Sequence, residues 1–334
     1  MNAFTKTLIP LVSISLCAAT HAQNATPLKQ QNLHKWGVAS TNYSGIAHIE
    51  GNSYAVVSDK EQTDGFYIFN IDINTANGKV KSVSRSGILG IPGSKARDAE
   101  GVCFCPPRNS VFVSAEDDQQ ILEYDLEGKP TGAKLNVPQM FATDSIHWNY
   151  GFESLAYDSV AGKFYTATER PLKRDNAKDT ALVRILAFDN SLNPTAQYAY
   201  TLEQPALNSK AKYYAHGVSE ITALHDGRLV VMERELSVPQ NYIGAKCRIR
   251  LFTVTPSEGE PITAGSSKPL FKTAIADFTT HIDIGQMNYA NYEGMCLGPK
   301  LKDGRQTLIL INDSQAGAGN SLYRLKDYIK VIIL

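Results

Sequence analysis

Apolar residues occur in short runs along this chain. The runs are rich in Val, Ile, Leu, Tyr and Phe, and they stop at Gly, Asn, Asp or Pro. Such runs, bounded by turn residues, read as strands. Apolar spacing at the helical period is nearly absent, so the predicted class is all-β.

The runs also repeat. Five segments open with a serine or glutamate beside small and apolar residues: 43–47, 99–103, 152–156, 218–222 and 292–296. A turn follows each, for example Glu50-Gly51-Asn52, His225-Asp226-Gly227 and Lys302-Asp303-Gly304. A second strand then ends in an acid: Asp59, Glu116, Glu169, Glu233 or Asp313. A third strand mixes aromatic and aliphatic residues, as in 66–69, 121–124, 185–188, 249–252 and 322–325. A weaker fourth strand completes the unit. Four antiparallel strands recurring every roughly 50–75 residues predict a β-propeller. Five openings predict five blades, with a six-bladed ring the alternative if 255–291 hides an irregular blade. A segment near 36–39 is expected to close the ring beside the last strand and so remove a free edge.

Composition narrows the setting. The sequence has 334 residues and a formal net charge of zero. No basic stripe suggests nucleic acid, and no polybasic cluster suggests a membrane surface. The start, with Lys6, an apolar run from Leu8 to Leu16 and Ala18-Ala19-Thr20-His21-Ala22, reads as a secretory signal peptide. Cleavage is expected after Ala22, leaving one propeller domain over 23–334 in a secreted or periplasmic monomer. No later stretch has the length and apolarity of a membrane helix. Export permits disulfides, but Cys103, Cys105, Cys247 and Cys296 are expected to be buried thiols, because a chain of this size folds without staples.

Counting outward from each turn sets an opening residue against a second-strand acid. The expected pairs are Ser44 with Asp59, Glu100 with Glu116, Glu153 with Glu169, Ser219 with Glu233, and Glu293 with Asp313. The first strand of a blade lines the axis. Ser44, Glu100, Glu153, Ser219 and Glu293 should therefore meet in the tunnel, with the five acids as an outer ring. Crowded carboxylates require protonation or a cation. An all-oxygen donor set selects a hard ion, and a ring of this kind suits the flexible coordination of Ca²⁺. The alternative is that these residues only cap strand starts.

Residues 97–101, 151–156, 219–221 with 232–234, and 291–294 with Asn312-Asp313 resemble the esterase-like, phytase-like domain family of bacteria. That resemblance implies hydrolysis of a phosphate ester or phosphodiester. The order Ser44, Glu100, Glu153, Ser219, Glu293 is similar to the tunnel set of the calcium-activated nucleotidases, or apyrases. This second resemblance implies five blades and bound calcium.

Polar side chains near the rim supply candidate chemistry. Arg97, Arg170 and Arg234 are candidates to pair with phosphate oxygens. His147 and His216 are candidate proton donors, and Asp98 flanks Glu100. For each of these, a salt bridge or a structural role is the competing reading. No Gly-x-Ser-x-Gly elbow, phosphate loop or His-Glu-x-x-His helix occurs, which disfavours a serine nucleophile. The leading expectation is an exported, calcium-dependent hydrolase of a phosphorylated small molecule. Its rivals are a calcium-stapled propeller that binds a ligand or protein without catalysis, and a carbohydrate-active propeller using paired carboxylates.

Overall fold

The structure is a computed structural model that describes residues 25–175, 182–320 and 323–334. The proposed signal peptide, with Cys17 and the cleavage point after Ala22, lies outside the described residues.

Five antiparallel sheets form a propeller. Blade 1 comprises Tyr43–Glu50, Ser53–Ser58, Gly65–Ile73 and Val80–Gly90. Blade 2 comprises Ala99–Cys105, Ser110–Ala115, Ile121–Tyr124 and Pro130–Lys134. Blade 3 comprises Ala156–Asp158, Lys163–Ala167, Leu182–Asp189 and Pro194–Thr201. Blade 4 comprises Tyr213–Ala223, Leu229–Val238, Ala245–Val254 and Lys272–Asp283, with a short Gln286–Met287 strand beyond. Blade 5 comprises Asn291–Leu297, Thr307–Asp313 and Tyr328–Ile333. Its outer edge comes from the other end of the chain: Thr26 pairs with Ile333 and Gln31 with Ile329. Among the described residues the few helical turns are short 3₁₀ segments, and no helix is long and apolar enough to cross a membrane.

Turn chemistry sets the first hairpins. Gly227 (φ 86°) and Gly304 (φ 90°) occupy the left-handed region that a tight reversal needs. Each pair of neighbouring blades then shares an apolar core. Phe112, Phe164 and Phe188 pack between blades 2 and 3. Tyr43, Phe69, Ile309 and Val331 pack between blades 5 and 1, so closure buries the same kind of surface as any internal junction. The first strands of adjacent blades lie side by side and complete the circle.

The six-bladed alternative does not hold, and two expectations need correction. Segment 255–291 holds no sixth blade; it carries the long outer strand Lys272–Asp283 of blade 4. The closing strands are Thr26–Pro27 and Gln31–Asn32, not 36–39, because Leu33–Trp36 coils into a 3₁₀ turn that Gly37 ends at φ 75°. In blade 5 the third strand is Tyr328–Ile333 rather than 322–325. Its residues are buried at every position, as a central strand covered on both faces requires. All four described cysteines are buried free thiols, as expected.

Candidate functional site

The first strand of every blade carries a one-residue irregularity at the same height. Tyr43 faces Ser58 but Gly45 faces Val57, leaving Ser44 extra. The same slip isolates Ser219 between the pairs Val218–Glu233 and Glu220–Met232, and Glu293 between Tyr292–Asn312 and Gly294–Ile311. In blade 2 it spans Glu100 and Gly101, and in blade 3 it spans 153–155. A bulge bends its strand and re-aims a side chain. Five bulges in register thus replace the simple hairpin alternation assumed from sequence.

The bulge also shifts the partner ring. The residue following each pre-bulge partner is Asp59, Glu116, Glu169, Arg234 and Asp313 in blades 1 to 5. Blade 4 therefore supplies an arginine, not Glu233, at this position. Glu233 lies on the opposite face of its strand, because side chains alternate with period two. It is fully buried between blades 3 and 4. There it accepts hydrogen bonds from Tyr200 Oη (2.7 Å), Lys272 Nζ (2.8 Å) and the Glu203 amide (3.0 Å).

Glu100, Glu153 and Glu293 meet the other four second-ring residues, all but Glu233, around one cavity of about 310 Å³. Seven carboxylates line it, from Asp59, Glu100, Glu116, Glu153, Glu169, Glu293 and Asp313, against two cationic side chains, Lys60 and Arg234. Ser44 and Ser219 are buried below the lining. Ser44 Oγ donates to the Ala99 carbonyl (2.7 Å), whereas Ser219 Oγ is buried with no partner.

Burial dominates the electrostatics. It raises the carboxyls of Glu100, Glu153 and Glu293 well above the ordinary glutamate range. Repulsion adds to it: Glu153, Asp59 and Glu293 act on Glu100, and Glu169 acts on Glu153. Burial likewise pushes Asp313 up to about 7, with Asp59 adding to the rise. Arg234 opposes the shifts of Glu153 and Glu293. Its guanidinium donates to Glu169 Oε1 (2.6 Å) and pairs with Glu293, while its Nε is buried without a partner. Glu293 is further held by Asn291 Nδ2 (2.8 Å). At the rim, ligating oxygens of Asp59, Asp98 and Glu100 all lie within 4.8 Å of one another, and Lys60 Nζ donates to Asp98 at 2.7 Å.

Below the ring the axis narrows. The next residues are Gly45, Gly101, Ser154, Glu220 and Gly294. A Cβ on Gly101 would lie 2.6 Å from the Ser154 carbonyl carbon, so the inner strands touch through backbone. Glu220 fills this layer, a residue that sequence reasoning passed over. Its Oε1 accepts from the amides of Ile221 (2.9 Å) and Leu155 (3.2 Å), and burial holds its carboxyl well above the usual range. A second, smaller cavity of about 160 Å³ lies on the far side, lined by residues such as Ile46, Cys103 and Met295.

Other predicted candidates stand apart from the cavity lining. Arg97 is clamped by Asp118 through two bonds of 2.9 Å and donates to Tyr124 Oη at 3.0 Å. His216 is buried against Arg250, and burial lowers its affinity for a proton. His147 does not line the cavity, and Arg170 lies over the Tyr150 ring at 5.3 Å.

Residues 39–315 match the model of the phytase-like family, described as "Esterase-like activity of phytase". The chain belongs to this phytase-like family. No curated protein sequence matches it. Among solved structures it is similar to an α-L-arabinofuranosidase from Lactobacillus brevis, at 11% identity, TM-score 0.47, and 90% and 94% coverage of the two chains. An endo-arabinase from Bacteroides thetaiotaomicron gives 10% identity, TM-score 0.45 and coverages of 89% and 95%. A luciferin-regenerating enzyme gives 12%, 0.44, 91% and 95%. Likenesses at this level carry no argument about chemistry.

Proposed function

We propose that this phytase-like propeller is an exported hydrolase of a phosphate ester, and that it works with a hard divalent cation, calcium, held at the axis. One observation carries the reading: seven carboxylates against two cationic side chains around a single small cavity. So many like charges cannot all ionise without a counterion. The donor set fits such an ion. It is all oxygen, and the hydroxyl of Ser219 is buried and without a partner beside the ring. Glu100, Glu153 and Glu293, which line the cavity, are the residues that would hold it, with the unpartnered Ser219 hydroxyl as a further donor. Asp59, Glu116, Glu169 and Asp313 would surround them. When bound, the ion supplies charge neutralisation for phosphoryl oxygens and a more acidic water.

The chain's own groups divide the remaining work. Lys60, at the rim, is placed to meet a phosphoryl oxygen. Arg234 orients Glu169 and Glu293 and keeps positive charge at the floor. Asp313, fixed by the Gln315 amide, adds a further carboxylate to the ring. Arg97 and His216 have structural duties, the first holding Asp118 and the second packing on Arg250.

The test is turnover of phosphomonoester, phosphodiester and nucleotide panels with added calcium and with chelator. Calcium-dependent product release that Glu100→Gln and Glu153→Gln both abolish is the expected result. A cation that raises the melting temperature while no substrate turns over would instead identify a binding propeller with a structural ion.

A further inference from the structure

The acidic cavity explains how an anionic group could be held through a cation. It does not explain the aromatic side of its mouth. Trp148 lines the same cavity yet is 90% exposed, the most exposed aromatic lining it. It makes no hydrogen bond or ring contact among the described residues. An indole left in water at the lip of a polar cavity lacks a packing role.

The acid ring anchors the end of its loop. Asn149, next in the chain, adopts the left-handed conformation at φ 59°. Two residues further, the Gly151 amide donates to Glu116 Oε1 at 2.6 Å, and the Glu169 amide donates to the Gly151 carbonyl at 2.8 Å. Two second-ring residues thus hold Gly151, three residues beyond Trp148. The neighbouring Tyr150 lies beneath the guanidinium of Arg170. Blade 4 adds Tyr214 to the lining, with its hydroxyl donating to Glu235 Oε1 at 3.1 Å. An exposed indole at the mouth of an acidic cavity offers a flat face to a ring attached to an anion.

We propose that Trp148 is a specificity-determining platform, on which the ring of an aromatic phosphate ester stacks while its phosphate faces the acidic cavity. The inference rests on the phosphate-ester reading and adds the class of the organic group. It disfavours small acyclic esters, which offer no flat ring face to an exposed indole. Aryl and nucleoside esters share the required chemistry.

The sequence has two tryptophans, so in a Trp36→Phe background the emission comes from Trp148 alone. The calcium-loaded full-length protein is titrated with phenylphosphonate and with methylphosphonate, followed by fluorescence and calorimetry. Phenylphosphonate should bind about 3- to 10-fold more tightly and shift the Trp148 emission. Trp148→Ala should erase the difference without changing the melting temperature, and Trp148→Phe should keep most of it. Adenosine monophosphate in a parallel arm separates nucleoside from simple aryl esters. Equal affinity for the two phosphonates, or a difference that survives Trp148→Ala, overturns the platform and leaves the phosphate-ester reading intact. If calcium binds but neither phosphonate does, both readings fall and only the cation site stands.

Discussion

Arg234 pairs with Glu293 across the boundary between blades 4 and 5, although the register of its own hairpin sets it opposite Gly217. The same guanidinium reaches Glu169 of blade 3. One buried cation therefore ties three blades together at the floor of the acidic cavity. Its removal would leave two buried carboxylates without their partner. Arg234→Gln should destabilise the chelator-treated protein by about 3–5 kcal/mol. Adding Glu293→Gln should recover part of the loss, since it removes one of the stranded charges. Urea unfolding of the single and double variants reads this directly. Equal stability of Arg234→Gln and the parent would show the pair to be idle.

Acidity should favour the apo protein, the reverse of the usual direction. Asp313 is raised to about 7 in the folded state, and Glu100, Glu153 and Glu293 stand well above the glutamate range. A carboxyl with a raised folded pKa binds its proton more tightly when folded. Its contribution is complete below the unfolded pKa, near 4, and is lost as pH rises through the folded value. Without divalent ions the melting temperature should fall from about pH 5 to pH 8 on this account. Added calcium should raise it more at pH 8 than at pH 5, because protons and cation compete for the same oxygens. A calcium effect that is independent of pH would contradict the proposed ligand set.

Glu116 and Glu233 provide an internal contrast. Glu116 follows the second strand of blade 2 and lines the cavity, whereas Glu233 lies within the second strand of blade 4 and is buried between blades 3 and 4. Glu116→Gln should weaken calcium binding severalfold in calorimetry with little effect on unfolding. Glu233→Gln should leave calcium affinity near the parent value. It should destabilise the fold by about 1–3 kcal/mol, since Lys272 and Arg250 lose a charged partner. The reverse pattern would mean that the bulge-shifted register is wrong.

The narrow layer beneath the ring makes a steric prediction. Gly101→Ala would place a methyl group 2.6 Å from the backbone of Ser154. Overpacking against an inner strand should destabilise by about 1–3 kcal/mol or more. Glu220→Gln keeps an acceptor for the Leu155 and Ile221 amides and should be tolerated, whereas Glu220→Ala strands both donors and should not be. Thermal melts of the three variants settle the order.

Much of this molecule could be read from its residues in order. Period-two apolar runs, Gly- and Asn-bearing turns and five similar openings determined an all-β propeller of five blades, because strand pairing within a hairpin is local and its signals lie close in the chain. The closing strand was misplaced, since pairing of Thr26–Pro27 and Gln31–Asn32 with the far end of the chain leaves no mark in either segment alone. The meeting of Glu100, Glu153 and Glu293 at one cavity was legible for a similar local reason: each sits in one of the five similar openings.

What only the tertiary structure decided was which way those donors point and what faces them. A bulge adds one residue to one strand, and a shift of one residue moves every later side chain to the other face. That shift takes Glu233 out of the second ring, brings Arg234 in, and lets Glu220 fill the axis where the other blades have glycine or serine. The exposure of Trp148 above the same cavity depends on loops from separate blades meeting in space. Such contacts arise when distant segments pack together, and one-dimensional spacing does not encode them.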